Sequence, residues 1–133
     1  MSKFTEAELA YLKSQHLGRL ATVNQRGEPE NKPVGFRYNP ELDTIDIGGP
    51  NHSQSQKYRN VAGNGLVSFV VDDALPTGEG RGIEIRGKAE VFPEGGKEIY
   101  SWFSPEIIRL TPKRIITWDL TGKVLPVARR TIE

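Results

Sequence analysis

Gly82 to Phe92 reads GIEIRGKAEVF, apolar and polar residues alternating with the period of a strand that buries one face. The same period recurs in short pieces along the chain, each cut off by turn-forming residues. Leu17 to Asn24 (LGRLATVN) and Lys32 to Tyr38 (KPVGFRY) flank Gln25-Arg26-Gly27-Glu28, which reads as the turn of a hairpin, and Asn39-Pro40 closes the second arm. Thr44 to Gly48 is a third strand, Leu66 to Asp72 (LVSFVVD) a buried-looking fourth, Gly82 to Phe92 the fifth and Lys113 to Leu120 (KRIITWDL) a sixth. Short strands joined by turns, with helices only at the margins, predict a mainly β fold: a small six-stranded antiparallel barrel rather than a parallel sheet.

The helices are few. Thr5 and Glu8 form a capping box, Phe4 and Leu9 are spaced as its hydrophobic staple, and Leu9 and Leu12 carry an apolar stripe to about Gln15. Short helices are expected around Gln56 to Ala62 and Gly96 to Phe103. Ala74 to Arg81 (ALPTGEGR) reads as the most flexible loop, of the kind that covers ligand sites. The tail Leu125 to Glu133, basic at Arg129-Arg130, reads either as frayed or as packed on a partner subunit.

With 133 residues the chain is expected to form a single domain, residues 1–133. A formal charge of +1 gives no overall pull toward nucleic acid or membrane. The chain has no cysteine, which excludes disulfides, thiolate nucleophiles and sulfur-ligated zinc. No apolar run reaches the roughly 18 residues of a membrane helix, and MSKFTEAELAYL lacks the pattern of a signal sequence. A cytoplasmic location is the expectation.

Few segments could act on a ligand. Gly78 to Gly82 (GEGRG) imitates a dinucleotide loop but joins two strands instead of opening a helix. Asp72-Asp73 has no further ligand at metal-binding spacing and reads as a charged strand end. His16 follows the first helix, and His52 reads as a solvent-exposed loop histidine. No nucleophile–histidine–acid arrangement stands out. The remaining stretch is Thr44 to Asp72, TIDIGGPNHSQSQKYRNVAGNGLVSFVVD: a strand, a polar loop, a short helix with one lysine, and a strand. Ser53, Ser55, Lys57 and Asn60 sit where helix-start N–H groups collect, a setting that suits an anion. Lys57 and Asn60, three apart, share a helix face. Two readings stand on these residues: a phosphate seat, or a surface connection with a solvated lysine.

The order of the pieces adds to this. LGRLATVNQRGEPENKPVGFRYNP, TIDIGGPNHSQSQKYRNV, RGIEIRGKAEVF and IIRLTPKRIITWDL together resemble the pyridoxamine 5′-phosphate oxidase-like split barrels, in particular the small actinobacterial branch that uses the deazaflavin coenzyme F-420. The family's run of serine, basic residue, lysine, two spacers and asparagine is matched by Ser55, Gln56, Lys57 and Asn60. The resemblance implies a homodimer with the cofactor at the subunit interface and hydride transfer to a small unsaturated or quinone-like substrate. Pro33, Val34 and Gly35 would present backbone to the ring, with Gly35 free of a side chain that could block approach. Ser53, Ser55 and Lys57 would hold the phosphate, Asn60 would brace the loop, and Arg81 and Trp118 would reach in from the second subunit. Each has a plainer alternative: Val34 as barrel core, Trp118 as strand packing, Arg81 as a loop charge. Family members often carry basic residues where this chain has Gln54 and Gln56, so Lys57 is expected to be the only side-chain charge in the seat. An FMN protein of the same fold and a non-catalytic cofactor-binding module are the alternatives. Catalytic side chains, metal and nucleic acid are not expected.

Overall fold

The computed structural model describes residues 2–120 and 128–132. Seven strands, β1 (Leu17–Val23), β2 (Pro29–Asn39), β3 (Thr44–Gly48), β4 (Leu66–Ala74), β5 (Gly80–Phe92), β6 (Ile107–Trp118) and β7 (Ala128–Thr131), form one sheet in the order β3-β2-β1-β4-β5-β6-β7. A further pairing of β3 with β6 closes six of them into the expected antiparallel barrel. Helix α1 (Glu6–Ser14) packs against β2, and α2 (Gln56–Asn64) against β1 and β5. Among the described residues no helix is long and apolar enough to cross a membrane.

The alternation read from the sequence is the division between the inside and outside of the barrel. Leu20, Val34, Phe36, Ile45, Ile47, Phe69, Val71, Ile83, Ile85, Leu110 and Ile115 point inward and are buried. Each such side chain contributes about 1.5–3 kcal/mol through burial. Gly18 faces the same core, and a Cβ there would stand 2.2 Å from the Phe69 ring, so the largest fully buried side chain depends on the smallest residue of β1.

Two long strands, β5 and β6, have to coil to close the barrel. Their register shifts between Arg86 and Gly87, which face Arg114 and Pro112, leaving Lys113 as the extra residue of a bulge. Gly87 lies so near the Thr111 carbonyl oxygen that a Cβ would stand 2.1 Å from it. Pro112 sits at this bulge, where a missing N–H costs least. Strand β6 therefore runs through the proline and starts at Ile107, well before the expected Lys113.

The closing seam between β3 and β6 is the shortest pairing in the barrel, with Ile45, Asp46 and Ile47 opposite Leu110, Arg109 and Ile108. An ion pair clamps its outer face. Arg109 donates to buried Asp46 through Nε at 2.9 Å and Nη2 at 3.1 Å, and Asn39 and Thr44 donate to the same carboxylate.

Three expectations change. The segment after β5 is not a helix: only Gly96–Glu98 forms a 3-10 turn. Gly95 has φ of 125°, and the Gly96 N–H donates to the Pro105 carbonyl at 2.9 Å, so the chain folds back on itself. The presumed flexible loop is a tight hairpin in which Leu75 N–H donates to the Glu79 carbonyl at 2.8 Å. In the tail, Ala128–Thr131 pairs with the second half of β6, while 125–127 lie outside the described residues. Arg130 from β7 donates to Glu8 Oε2 at 2.6 Å, joining the tail to the capping box that Glu8 makes with Thr5.

Candidate functional site

Helix α2 begins at the mouth of the barrel. Ser55 is its N-cap, with Oγ accepting from the Tyr58 N–H at 3.4 Å and donating to the His52 carbonyl at 2.6 Å. That leaves the N–H groups of Gln56 and Lys57 among those a helix cannot satisfy itself. Gly65, in the left-handed conformation with φ of 68°, stops the helix and lets its N–H reach the Val61 carbonyl.

Asn60 fixes this helix to the barrel. It is buried, donates from Nδ2 to Thr22 Oγ1 at 2.9 Å and to Glu30 Oε1 at 3.1 Å, and accepts from Gln56 Nε2 at 2.7 Å. With α2 held in this way, Lys57 projects into a pocket of about 110 Å³ lined by Leu20, Thr22, Glu30, Lys32, Ser55 and Gln56. Lys57 has no acceptor or ion pair among the described residues. Burial lowers its pKa, and the positive charge of Lys32 lowers it further. Two lysines lining one small space, beside the N–H groups at a helix start, suit an anion.

Lys57 is thus not the only charge in the seat. Lys32 reaches it because β1 places Leu20 opposite Lys32 and Thr22 opposite Glu30, so all four side chains face the barrel mouth. Glu30 is the one carboxylate lining the pocket, and its oxygens accept from Asn60 and Asn24. A larger cleft of about 820 Å³ adjoins the seat. It shares Glu30, Gln56 and Asn60 with the seat's surroundings and is further lined by Asn24, Arg26, Arg59 and Asn64.

The other expected residues are spread around this centre. Gln56 lies at the rim and also accepts from Arg59 Nη2 at 2.9 Å. The Ser53 N–H faces Glu106 Oε1 at 3.3 Å. Val34 belongs to the core. Pro33 is exposed on the outer face of β2. Gly35 does lack a blocking side chain, but its outer face is covered: a Cβ would stand 2.7 Å from the Phe103 ring. Arg81 and Trp118 lie outside the lysine pocket of their own chain. Arg81 donates to Asp73 at 2.8 and 3.2 Å and stacks over Tyr11, and Trp118 packs on Gly82. The Asp73 carboxylate also accepts from Tyr11 Oη at 2.7 Å, and burial together with that bond raises the Tyr11 pKa.

His52 departs from expectation most. It is completely buried, not a solvent-exposed loop residue, and stands edge-on to Tyr58 at 5.4 Å. Neither ring nitrogen has a hydrogen-bond partner among the described residues. Burial, helped by the charge of Lys57 and opposed by Glu106, pushes its pKa down to about 4. The ring is therefore a neutral wedge beneath the loop that leads to Lys57.

A closed six-stranded antiparallel barrel with a short helix packed on its first strand defines a split-barrel protein. The chain belongs to the pyridoxamine 5′-phosphate oxidase family, whose model matches residues 4–119. A relative from Streptomyces rimosus subsp. rimosus, 5a,11a-dehydrotetracycline/5a,11a-dehydrooxytetracycline reductase, is 45% identical over 122 residues, covering 90% of this chain and 85% of that protein. Among solved structures, a conserved hypothetical protein of Mycobacterium tuberculosis superposes with a TM-score of 0.71 at 20% identity, over 98% of this chain and 92% of that one. A FAD-binding protein of Mycobacterium smegmatis gives 0.62 at 20% identity, over 99% and 100%. These structures share the fold.

Proposed function

We propose that this chain is an oxidoreductase that holds a flavin-type cofactor by its phosphate between Lys57 and Lys32 and reduces an unsaturated carbonyl compound built on fused rings. The observation that carries the reading is the half-buried Lys57, which meets Lys32 across a small pocket without an acceptor among the described residues. A phosphate would relieve that repulsion and accept from the N–H groups at the start of α2. The relative from Streptomyces rimosus supports the reaction class and the kind of substrate, since its name is that of a reductase acting on dehydrotetracyclines.

Coenzyme F-420 is the cofactor we favour. The 820 Å³ cleft opens directly beside the seat, with Arg26 and Arg59 in its lining, and has room for a tail beyond the phosphate, which FMN lacks. The chemistry such a cofactor supplies when bound is transfer of a hydride. The chain's part is to bind, to orient and to exclude water. Lys57, Lys32 and Ser55 would hold the phosphate, and Asn60 keeps α2 in place. Exposed Pro33 would border the ring, and a second copy of the chain would close the groove, with Arg81 and Trp118 reaching into it. Equilibrium binding of F-420 and FMN to the purified protein tests the assignment. Tight binding of FMN with none of F-420 would select FMN, and binding of neither would overturn the proposed function.

A further inference from the structure

Among the described residues the exposed large apolar side chains are Leu17, Leu42, Leu66, Tyr100 and Trp102. Three of them adjoin. Leu17 lies opposite Gly35 on the outer face of the β1–β2 pair, and Tyr100 Cε2 is 3.6 Å from where a Gly35 Cβ would stand. Trp102, 66% exposed, lies nearly parallel to Tyr100, with ring centres 6.0 Å apart and planes at 28°. Exposed Pro33 extends the patch along the same face of β2.

The two rings are held from beneath. Phe103 is buried, meets Tyr100 edge-on at 5.1 Å and Trp102 at 4.6 Å, and rests on Gly35 and Gly48, which face each other across β2 and β3. Lys97 Nζ donates to the Phe103 carbonyl at 3.0 Å. Ser104 Oγ donates to the Gly49 carbonyl at 2.9 Å and accepts from the His52 N–H at 3.0 Å. The aromatic turn is therefore joined to the loop that leads into α2.

We propose that Tyr100 and Trp102 form a stacking shelf for a flat fused-ring substrate. This rests on the function proposed above and names the residues that would set its substrate class. A near-parallel aromatic pair favours a planar π partner in offset stacking. The shelf shares β2 with the lysine pocket: Lys32 and Gly35 are about 10 Å apart along the strand, Lys32 facing the barrel mouth and Gly35 the outer face. Its edges are polar, with the Arg37–Glu98 pair on one side and Arg19 with Asp72 on the other.

The test is titration of the full-length protein with tetracycline, with and without saturating F-420, followed by the ligand's own fluorescence. Trp102→Ala and Tyr100→Ala should each weaken binding at least fivefold, and Trp102→Phe should restore it to within threefold of the parent. Sedimentation velocity should show the same assembly for all of them. Unchanged affinity in both alanine variants would overturn the shelf and leave the proposed function standing. So would a change of assembly in Trp102→Ala, which would make the patch a subunit contact. Absence of tetracycline binding by the parent protein under both conditions would overturn the substrate class, and the shelf with it.

Discussion

Asn60 Nδ2 donates to Thr22 Oγ1 at 2.9 Å, so the helix that carries Lys57 is fixed to the strand that forms the floor of its pocket. Asn60→Ala would remove this bond and those to Glu30 and Gln56. The buried Thr22 hydroxyl would be left without its donor, at a cost of about 1–3 kcal/mol. Urea unfolding should show that loss, and cofactor affinity should fall as well, although Asn60 lies behind the lysine.

Lys57→Ala and Lys32→Ala should each weaken cofactor binding by about 1.5–3 kcal/mol, the range for a hydrogen bond to a charged group. Without cofactor, neither change should destabilise the fold, because each removes one of two mutually repelling ammonium groups. Weaker binding with unimpaired apo stability is the signature of an anion seat. Isothermal titration and thermal unfolding read the two quantities separately.

His52 gives stability a pH dependence. Its folded pKa of about 4 lies below the ordinary 6.5, so the unfolded chain takes up a proton first as pH falls. The contribution of His52 is complete above pH 6.5, declines as pH falls toward 4, and levels off below that. That lowering corresponds to roughly 3 kcal/mol for this fully buried ring. In His52→Phe this part of the pH profile should flatten, as measured by urea unfolding at several pH values.

Gly35→Ala should displace Phe103, since the added methyl would stand 2.7 Å from its ring. Overpacking of this kind costs about 1–3 kcal/mol. Because Phe103 supports Tyr100 and Trp102, the near-ultraviolet circular dichroism of the aromatic turn should change too. Adding Phe103→Leu should recover part of the stability.

The parts that were legible in the sequence were those with local causes. Strand β3 runs from Thr44 to Gly48 as its alternation requires, and the box of Thr5 and Glu8 caps α1 as its spacing requires. What could not be read depends on contacts between distant segments. Lys32 joins Lys57 only because the β1–β2 register turns it into the barrel mouth. Pro112 suggests a strand break until the bulge beside it is seen. His52 stands among polar loop residues in sequence, yet tertiary packing buries it. Tyr100 and Trp102 follow no period, since a folded-back turn, not a helix, sets where they lie.

The seam between β3 and β6 has a thermodynamic consequence. It rests on the fewest paired residues, and the chain leaves β3 at that point for the loop under which His52 is wedged. The loop that positions Lys57 thus starts at the seam with the fewest paired residues, the one that the Asp46–Arg109 pair clamps. An anion that bound Lys57 only in the closed barrel would add its binding free energy to closure. Ligand affinity and the slowing of amide exchange at Ile45 and Ile47 should therefore rise together.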